Sequence, residues 1–446
     1  MNRSIEKKHT VSYIQETAKN FLDRETAGGI ILIIATILAL ILGNSQWSEP
    51  YHHLLENKFL FELSEYFTFE LTLEQWINDG LMVIFFLVAG LELKREILVG
   101  ELSSFKKASM PLLAALGGML IPALFYILIN VNSENLHGWG IPMATDIAYS
   151  LGIIGLLGKR IPTEVKTFLV ALAIADDLGA ILVIALFYSN DISWLHLGIS
   201  AGIFALLMGM NKSGIKSLFW YIPIGIVLWY FTLKSGIHPT ISGVLFAISI
   251  PVRPKLDSKI FKEKTAKHIA KLEKTDIENR DPMEDVEQRE ILEKMKKDTN
   301  KSRPPLIKLE NSLLAFNTFF VIPIFAIANA GVTLDISLME VITGSVGLGI
   351  ILGLLVGKVL GISLFSFLGY KLGIAELNKS ITWSHIIGIG FIAGIGFTMS
   401  IFITNLAFTN AEIVKVSKIS ILIASLIAAI NGIIVMLFIK PKSLSS

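Results

Sequence analysis

The sequence predicts an all-α polytopic membrane protein of about 12 transmembrane helices. Three observations carry this. Of 446 residues, 53% are hydrophobic and only 17% are charged, where a soluble domain carries about 25%. Mean hydropathy is +0.63. Apolar runs of the length needed to cross a hydrocarbon core of ~30 Å, about 17–25 residues, recur from Ala27 onward. The net charge of +2 gives no reason to expect nucleic acid, and the absence of cysteine excludes disulfides and thiolate metal sites.

The segments fall near 27–43, 77–98, 109–130, 141–158, 162–188, 193–210, 217–233, 237–251, 308–330, 340–368, 381–407 and 414–439. The first follows a charged, amphipathic stretch and lacks a clean small-residue cleavage site, so it reads as a span and not as a signal peptide. Lys and Arg resist translocation and set orientation. One set of loops holds Lys94, Arg95, Lys106, Lys107, Lys159, Arg160, Lys212 and Lys216, while the opposite set has Lys58, Lys234 and few others. The amino terminus (Arg3, Lys7, Lys8, Lys19, Arg24) and the tail (Lys440, Lys442) belong to the basic set. Both termini are therefore expected in the cytoplasm.

Two connections stand apart from this single membrane domain. Residues 58–73 alternate over Phe67–Leu73 and predict a small external β-hairpin. Residues 253–308 hold 16 Lys/Arg and 12 Asp/Glu. They predict a charged cytoplasmic loop between spans 8 and 9, helical or disordered, and composition favours a solvated linker.

A weak internal symmetry is visible. The fourth and eleventh segments are both interrupted, one by Ala144-Thr145-Asp146 and the other by Gly388, Gly390, Gly394, Gly396 and Thr398. Paired broken helices in matching positions point to an ion site near the bilayer midplane.

Four charges lie at bilayer depth: Asp146, the adjacent Asp176 and Asp177, and Lys358. Left unpaired at a helix centre, each would cost about 2.5–3.5 kcal/mol. A structural salt bridge would account for Lys358. It would not account for the Asp pair, since one lysine cannot neutralise two neighbouring anions. Burial and a like-charged neighbour both favour the protonated acid, so such a pair can hold protons near neutral pH. A small hard cation seeks the same oxygens. Occupancy by Na⁺ or by protons is then competitive, and that competition couples their fluxes. Broken helices also present positive N-termini and negative C-termini to one another; Asp146 can neutralise the first and Lys358 the second. Thr145 offers an oxygen near the cation path or an ordinary intrahelical hydrogen bond.

Gly90-Leu-Glu92-Leu-Lys94-Arg95-Glu96 forms a charged mouth. Positive-inside anchoring explains Lys94 and Arg95; Glu92 and Glu96 remain as groups that draw cations or respond to pH. His238, at the start of the eighth segment and expected near the external surface, is either structural or pH-responsive. Gly353-Leu-Leu-Val-Gly357-Lys358 lacks the spacing and the Ser/Thr of a phosphate-binding loop and lies in an apolar span, so no nucleotide is implied.

The most specific stretches are Asn78-Asp-Gly-Leu-Met, Gly90–Glu96, Met143-Ala-Thr-Asp-Ile-Ala148, Ala171-Leu-Ala-Ile-Ala-Asp-Asp-Leu-Gly179, Gly236-Ile-His-Pro-Thr-Ile-Ser-Gly243, Phe325-Ala-Ile-Ala-Asn-Ala-Gly331 and Gly396-Phe-Thr-Met-Ser400. Together they resemble the NhaA-type bacterial Na⁺/H⁺ antiporters over nearly the whole chain. The resemblance implies twelve spans in inverted repeats with crossed fourth and eleventh helices. It implies a cation and proton site at Asp176 and Asp177, with Asp176 paired to Lys358 and supported by Asp146 and Thr145. It implies a pH-responsive region with Glu92, Glu96 and Glu310, and dimerisation through the 58–73 hairpin. The expected function is electrogenic, pH-dependent export of Na⁺ and Li⁺ against H⁺ across the inner membrane, with no cofactor. The sequence departs from the family at Leu309-Glu-Asn-Ser-Leu-Leu-Ala315, which lacks two family histidines, and in the 253–308 insertion. The rival readings are an intramembrane aspartyl protease, whose Gly-x-Gly-Asp pattern is missing, and a cation channel or Na⁺-coupled symporter.

Overall fold

Seven helices among the described residues are long and apolar enough to cross a bilayer, and a bent pair makes an eighth. The computed structural model describes residues 26–64, 67–189, 191–273 and 286–439. The basic residues of the two termini that suggested orientation lie outside this range.

The first span, α1, is Thr26–Gly43. A small antiparallel sheet follows, β1 (Lys58–Ser64) and β2 (Phe67–Thr72), in the register Lys58↔Thr72 and Phe61↔Phe69. The cross-strand pair Lys58–Glu70 lies at 3.6 Å. Thr72 then accepts from Gln75 N, and Gln75 returns to Thr72 N, a capping box that starts the next helix. That helix passes through a π-turn at Trp76–Leu81 into α2, Met82–Val99.

The centre of the molecule is built on close crossings. Helix α3 (Phe105–Asn130) crosses the long Ser345–Lys371 segment where Gly117 meets Gly361. A Cβ on either would overlap the other's carbonyl oxygen, so only glycine lets the two backbones approach here. A π-turn at Gly353–Gly357, packed on Pro122 of α3, immediately precedes Lys358. Such turns rotate the residues that follow and recur at functional sites.

Two breaks face each other. The chain from Glu134 to Met143 is a 3₁₀ segment; Ala144 and Asp146 are extended, and α4 runs Ile147–Leu156. In the other break, Trp383–Ala393 and Phe397–Ala407 are separated by three residues and bent by 47°. Packed against both is α5, Thr163–Phe187, which carries both Asp176 and Asp177.

The insertion is ordered where it is described. Ser258–Leu272 and Val286–Ser302 are helices lying side by side. Leu256 N donates to Lys301 O at 2.9 Å, so the beginning of the first helix meets the end of the second and the pair is antiparallel. Leu306 N donates to Pro251 O, and Lys216 Nζ donates to Pro254 O, which ties the base of the pair to the membrane helices. Residues 274–285 are outside the described range.

Candidate ion-binding site

Successive residues on a helix point about 100° apart, so Asp176 and Asp177 leave α5 in different directions. Both are buried, at 1% and 3% exposure, yet their surroundings differ.

Asp176 faces the breaks. Lys358 Nζ donates to its Oδ2 at 2.7 Å and to Thr145 Oγ1 at 2.9 Å. Thr145 Oγ1 lies 2.7 Å from the same Asp176 oxygen and 2.9 Å from the carbonyl of Ala393, and its single proton serves one of them at a time. Lysine, threonine and aspartate thus close a triangle at zero exposure of the Lys358 and Asp176 side chains. The C-terminal carbonyl of the Trp383–Ala393 helix is met by Thr145, while Lys358 turns to the carboxylate.

Asp146 occupies the crossing itself. Its Oδ1 accepts from Tyr149 N at 2.9 Å, capping α4, and its Oδ2 accepts from the Thr398 backbone at 3.0 Å and from the Thr398 hydroxyl. One carboxylate therefore serves the positive ends of two helices. Its own N–H donates to Ile395 O at 2.7 Å, across the two breaks. Ser150 Oγ to Ile392 O and Ser400 Oγ to Ile141 O satisfy further carbonyls freed by the unwinding.

Asp177 points away from all of this. Among the described residues neither of its carboxylate oxygens has a hydrogen-bond partner. It sits on the wall of a cavity of about 60 Å³, with Glu92, Arg95 and Asn317 also lining it. That volume admits a few waters or a small cation. At the other end of the cavity, Arg95 Nε donates to Glu310 Oε1 at 2.9 Å and its Nη1 pairs with Glu96 at 3.0 Å. Glu96 is drawn further inward by accepting from Glu101 N. Of the three mouth glutamates, Glu92 lines the cavity, while Glu96 and Glu310 are buried against Arg95.

His238 lies elsewhere. It is 9% exposed, covered by Phe402, which packs edge-on against its ring at 5.1 Å. Its Nε2 is 3.4 Å from Asp79 Oδ1, and its Nδ1 is 2.8 Å from Thr240 Oγ1. The structure joins Asp146, Thr145, Asp176 and Lys358 at the crossing and Asp177 with Glu92 at the cavity; it does not bring His238 to either.

Three features escaped the sequence reading. Thr398 was noted as an interruption but not as the partner of Asp146. Asn317, with a buried Oδ1 that has no partner among the described residues, lines the cavity from a π-turn. Asp79 belongs with His238, next to the amides Asn78, Asn329 and Asn405, linked at 2.9 and 2.6 Å. A polar residue in an apolar run was the available signal for each.

Fold and site together define a multi-pass membrane protein with a desolvated carboxylate centre at facing helix breaks. The family model described as Na⁺/H⁺ antiporter 1 matches residues 19–436. Among relatives, a protein of Christiangramia forsetii named Na(+)/H(+) antiporter NhaA is 66% identical over 442 residues, covering 99% of this chain and 98% of its own. One of Helicobacter acinonychis with the same name is 45% identical over 98% of both chains. One of Helicobacter hepaticus, named Na(+)/H(+) antiporter NhaA 2, is 45% identical over 94% of both. The chain belongs to the Na⁺/H⁺ antiporter 1 family.

Proposed function

We propose that the chain exchanges Na⁺ for protons across a bacterial inner membrane, with Asp177 as the group over which the two ions compete. The observation that carries this reading is Asp177 itself, a buried carboxylate with no hydrogen-bond partner for either oxygen among the described residues, on the wall of a cavity that Glu92 also lines. A buried anion without a partner must take a proton or a cation. Whichever ion binds excludes the other, so cycling between them couples the fluxes.

Asp176 and Lys358 form the second proton-handling element. Two protons taken in for each Na⁺ released would move one net charge, so the exchange is electrogenic and a negative interior drives Na⁺ out. Li⁺, smaller and equally oxygen-seeking, is carried as well. Thr145 holds the Asp176–Lys358 pair in place, and Asp146 holds the two breaks together. Glu92, Glu96 and Glu310, coupled through Arg95, respond to pH at the mouth, with His238 acting separately.

The architecture that fits is a single domain over residues 1–446 with twelve crossings in an inverted repeat. Helix α2 with its charged end and the shorter helices Ile147–Leu156, Leu218–Lys234 and Thr240–Ser249 supply four crossings beyond the eight apolar ones. The breaks near 144–146 and 394–396 mark the fourth and eleventh. An even count puts both termini on the cytoplasmic side with the 253–308 insertion. The 58–73 hairpin is then external, and its open strand edges suit a homodimer by strand pairing.

The test is a pH gradient imposed across sealed vesicles containing the purified protein. Added Na⁺ should dissipate it and added K⁺ should not. Na⁺ flux with no movement of the proton gradient would support a channel and sink the reading.

A further inference from the structure

Outside the membrane centre, the strongest unexplained feature is a basic cleft of about 450 Å³ at the base of the helical insertion. It is lined by Lys255, Lys296, Lys297, Lys301 and Lys308, with Glu293 as its one acid among the described residues. The five lysines come from three stretches of chain: the approach to the insertion, its second helix, and the first turn of the Pro305–Ala330 span. Elsewhere on the insertion, Lys264 pairs with Asp298 at 3.3 Å and Lys294 with Glu290 at 3.0 Å. None of the five cleft lysines has an ion-pair partner among the described residues. Lys255 and Arg303 instead place like charge on the half-buried Lys308. Cations gathered from separate segments around a concave surface repel one another unless an anion joins them.

We propose that this cleft binds the phosphate headgroup of an anionic phospholipid. Position selects the lipid over a soluble anion. Lys308 lies four residues into a membrane span, so the cleft opens at the level where headgroups reside. Its base is tied to the membrane helices through Leu306 and Lys216, which holds the lysines at that level. The inference stands independently of which ions are exchanged.

The experiment is titration of the purified full chain in detergent with short-chain phosphatidylglycerol and, separately, phosphatidylcholine, with bound lipid counted by native mass spectrometry. The expected result is one saturable phosphatidylglycerol site and no comparable phosphatidylcholine site. Lys301→Gln with Lys308→Gln should weaken it about fivefold per lysine, roughly 25-fold together. Lys262→Gln with Lys267→Gln removes the same charge from elsewhere on the insertion and should leave the affinity within about twofold. Equal loss in both double variants would mean general surface attraction and overturn the site. Inorganic phosphate displacing the lipid at equal concentration would assign the cleft to a soluble anion and overturn the lipid. Wild-type protein that does not distinguish the two lipids overturns the proposal without reference to any variant.

Discussion

Asp146 and Asp177 are buried to nearly the same degree, at 2% and 3% exposure, and the proposed ion site rests on the contrast between them. Asp146 accepts hydrogen bonds on both oxygens from two helix N-termini and a hydroxyl. Asp177 accepts none among the described residues. Desolvation alone therefore does not make a carboxylate into a binding group. A buried carboxylate whose lone pairs are all taken by protein donors reads as part of the frame. One whose lone pairs are free must take an ion from outside. Asp176 lies between these cases, with one oxygen held by Lys358 and Thr145 and the other unpartnered among the described residues.

The largest expected effect tests this contrast directly. Asp177→Asn should reduce Na⁺-driven dissipation of a pH gradient to background, because an amide neither takes up a proton nor offers negative charge to Na⁺. It should leave thermal stability in detergent unchanged or raised, since no protein partner is lost and a buried charge is removed. Exchange at the wild-type rate would show that the free carboxylate is not the site.

Lys358→Ala should destabilise the protein by about 3–5 kcal/mol, the usual result of leaving one member of a buried ion pair alone, and should abolish exchange. Thermal unfolding measures this. Adding Asp176→Asn to the same chain should recover much of the stability without recovering exchange. If the single variant is as stable as wild type, the pair at 2.7 Å is not a structural requirement.

Asp146→Ala should destabilise by roughly 1–3 kcal/mol, the range for losing a helix cap and leaving buried N–H groups unsatisfied. The loss should be shared by Thr398→Val, which deletes one of the same bonds, and the two should not add. Additive losses would mean that the two residues act separately and that the crossing is not held through this carboxylate.

The competition itself predicts a smaller, graded effect. A tenfold increase in Na⁺ should move the activity profile to lower pH, by about one unit if one proton is displaced and about half a unit if two are. A pH series at several Na⁺ concentrations measures it. A midpoint that stays fixed at saturating Na⁺ would restore a separate sensor, with Glu92, Glu96 and Glu310 as its first candidates.

Much of this is legible in the sequence alone. Charges in apolar runs are costly enough that Asp146, Asp176, Asp177 and Lys358 stand out in one dimension, and so do interruptions such as Ala144-Thr145-Asp146. What a linear reading cannot supply is which oxygen meets which proton. Thr398 follows Phe397 in an ordinary-looking helix start, and only the approach of the other break turns it into the partner of Asp146. Lys358 reads both as a neutraliser of helix C-termini and, from the resemblance, as the partner of Asp176; a π-turn at Gly353–Gly357 precedes it and its ammonium meets Asp176, leaving the Ala393 carbonyl to Thr145. His238 was placed at a surface because it begins a segment, whereas Phe402, 164 residues later, covers it. The insertion shows the reverse limit. Its composition reads as a solvated linker, and only the pairing of its two helices shows which lysines are gathered in a cleft.

The smallest effect is expected where the same ion-pair chemistry meets water. In the insertion, Asp298 lies 3.3 Å from both His268 Nε2 and Lys264 Nζ. The hydrogen bond from His268, then that from Lys264, hold the Asp298 carboxyl below its usual range. A depressed carboxylate stabilises the folded form above the unfolded value, near pH 4, and loses that contribution as pH falls through the folded value. The helix pair should therefore hold through neutral and mildly acid pH and loosen only below about pH 4. Solvent and salt screen such a pair, so Asp298→Asn at pH 7 should speed hydrogen exchange in residues 258–272 and 286–302 by no more than about fivefold. The change should shrink at high salt, and Na⁺-driven exchange should be unaffected. Loss of transport in this variant would mean that the insertion is coupled to the membrane centre far more tightly than a part-buried ion pair within it can arrange. It would place Asp298 alongside Asp146 as part of the frame.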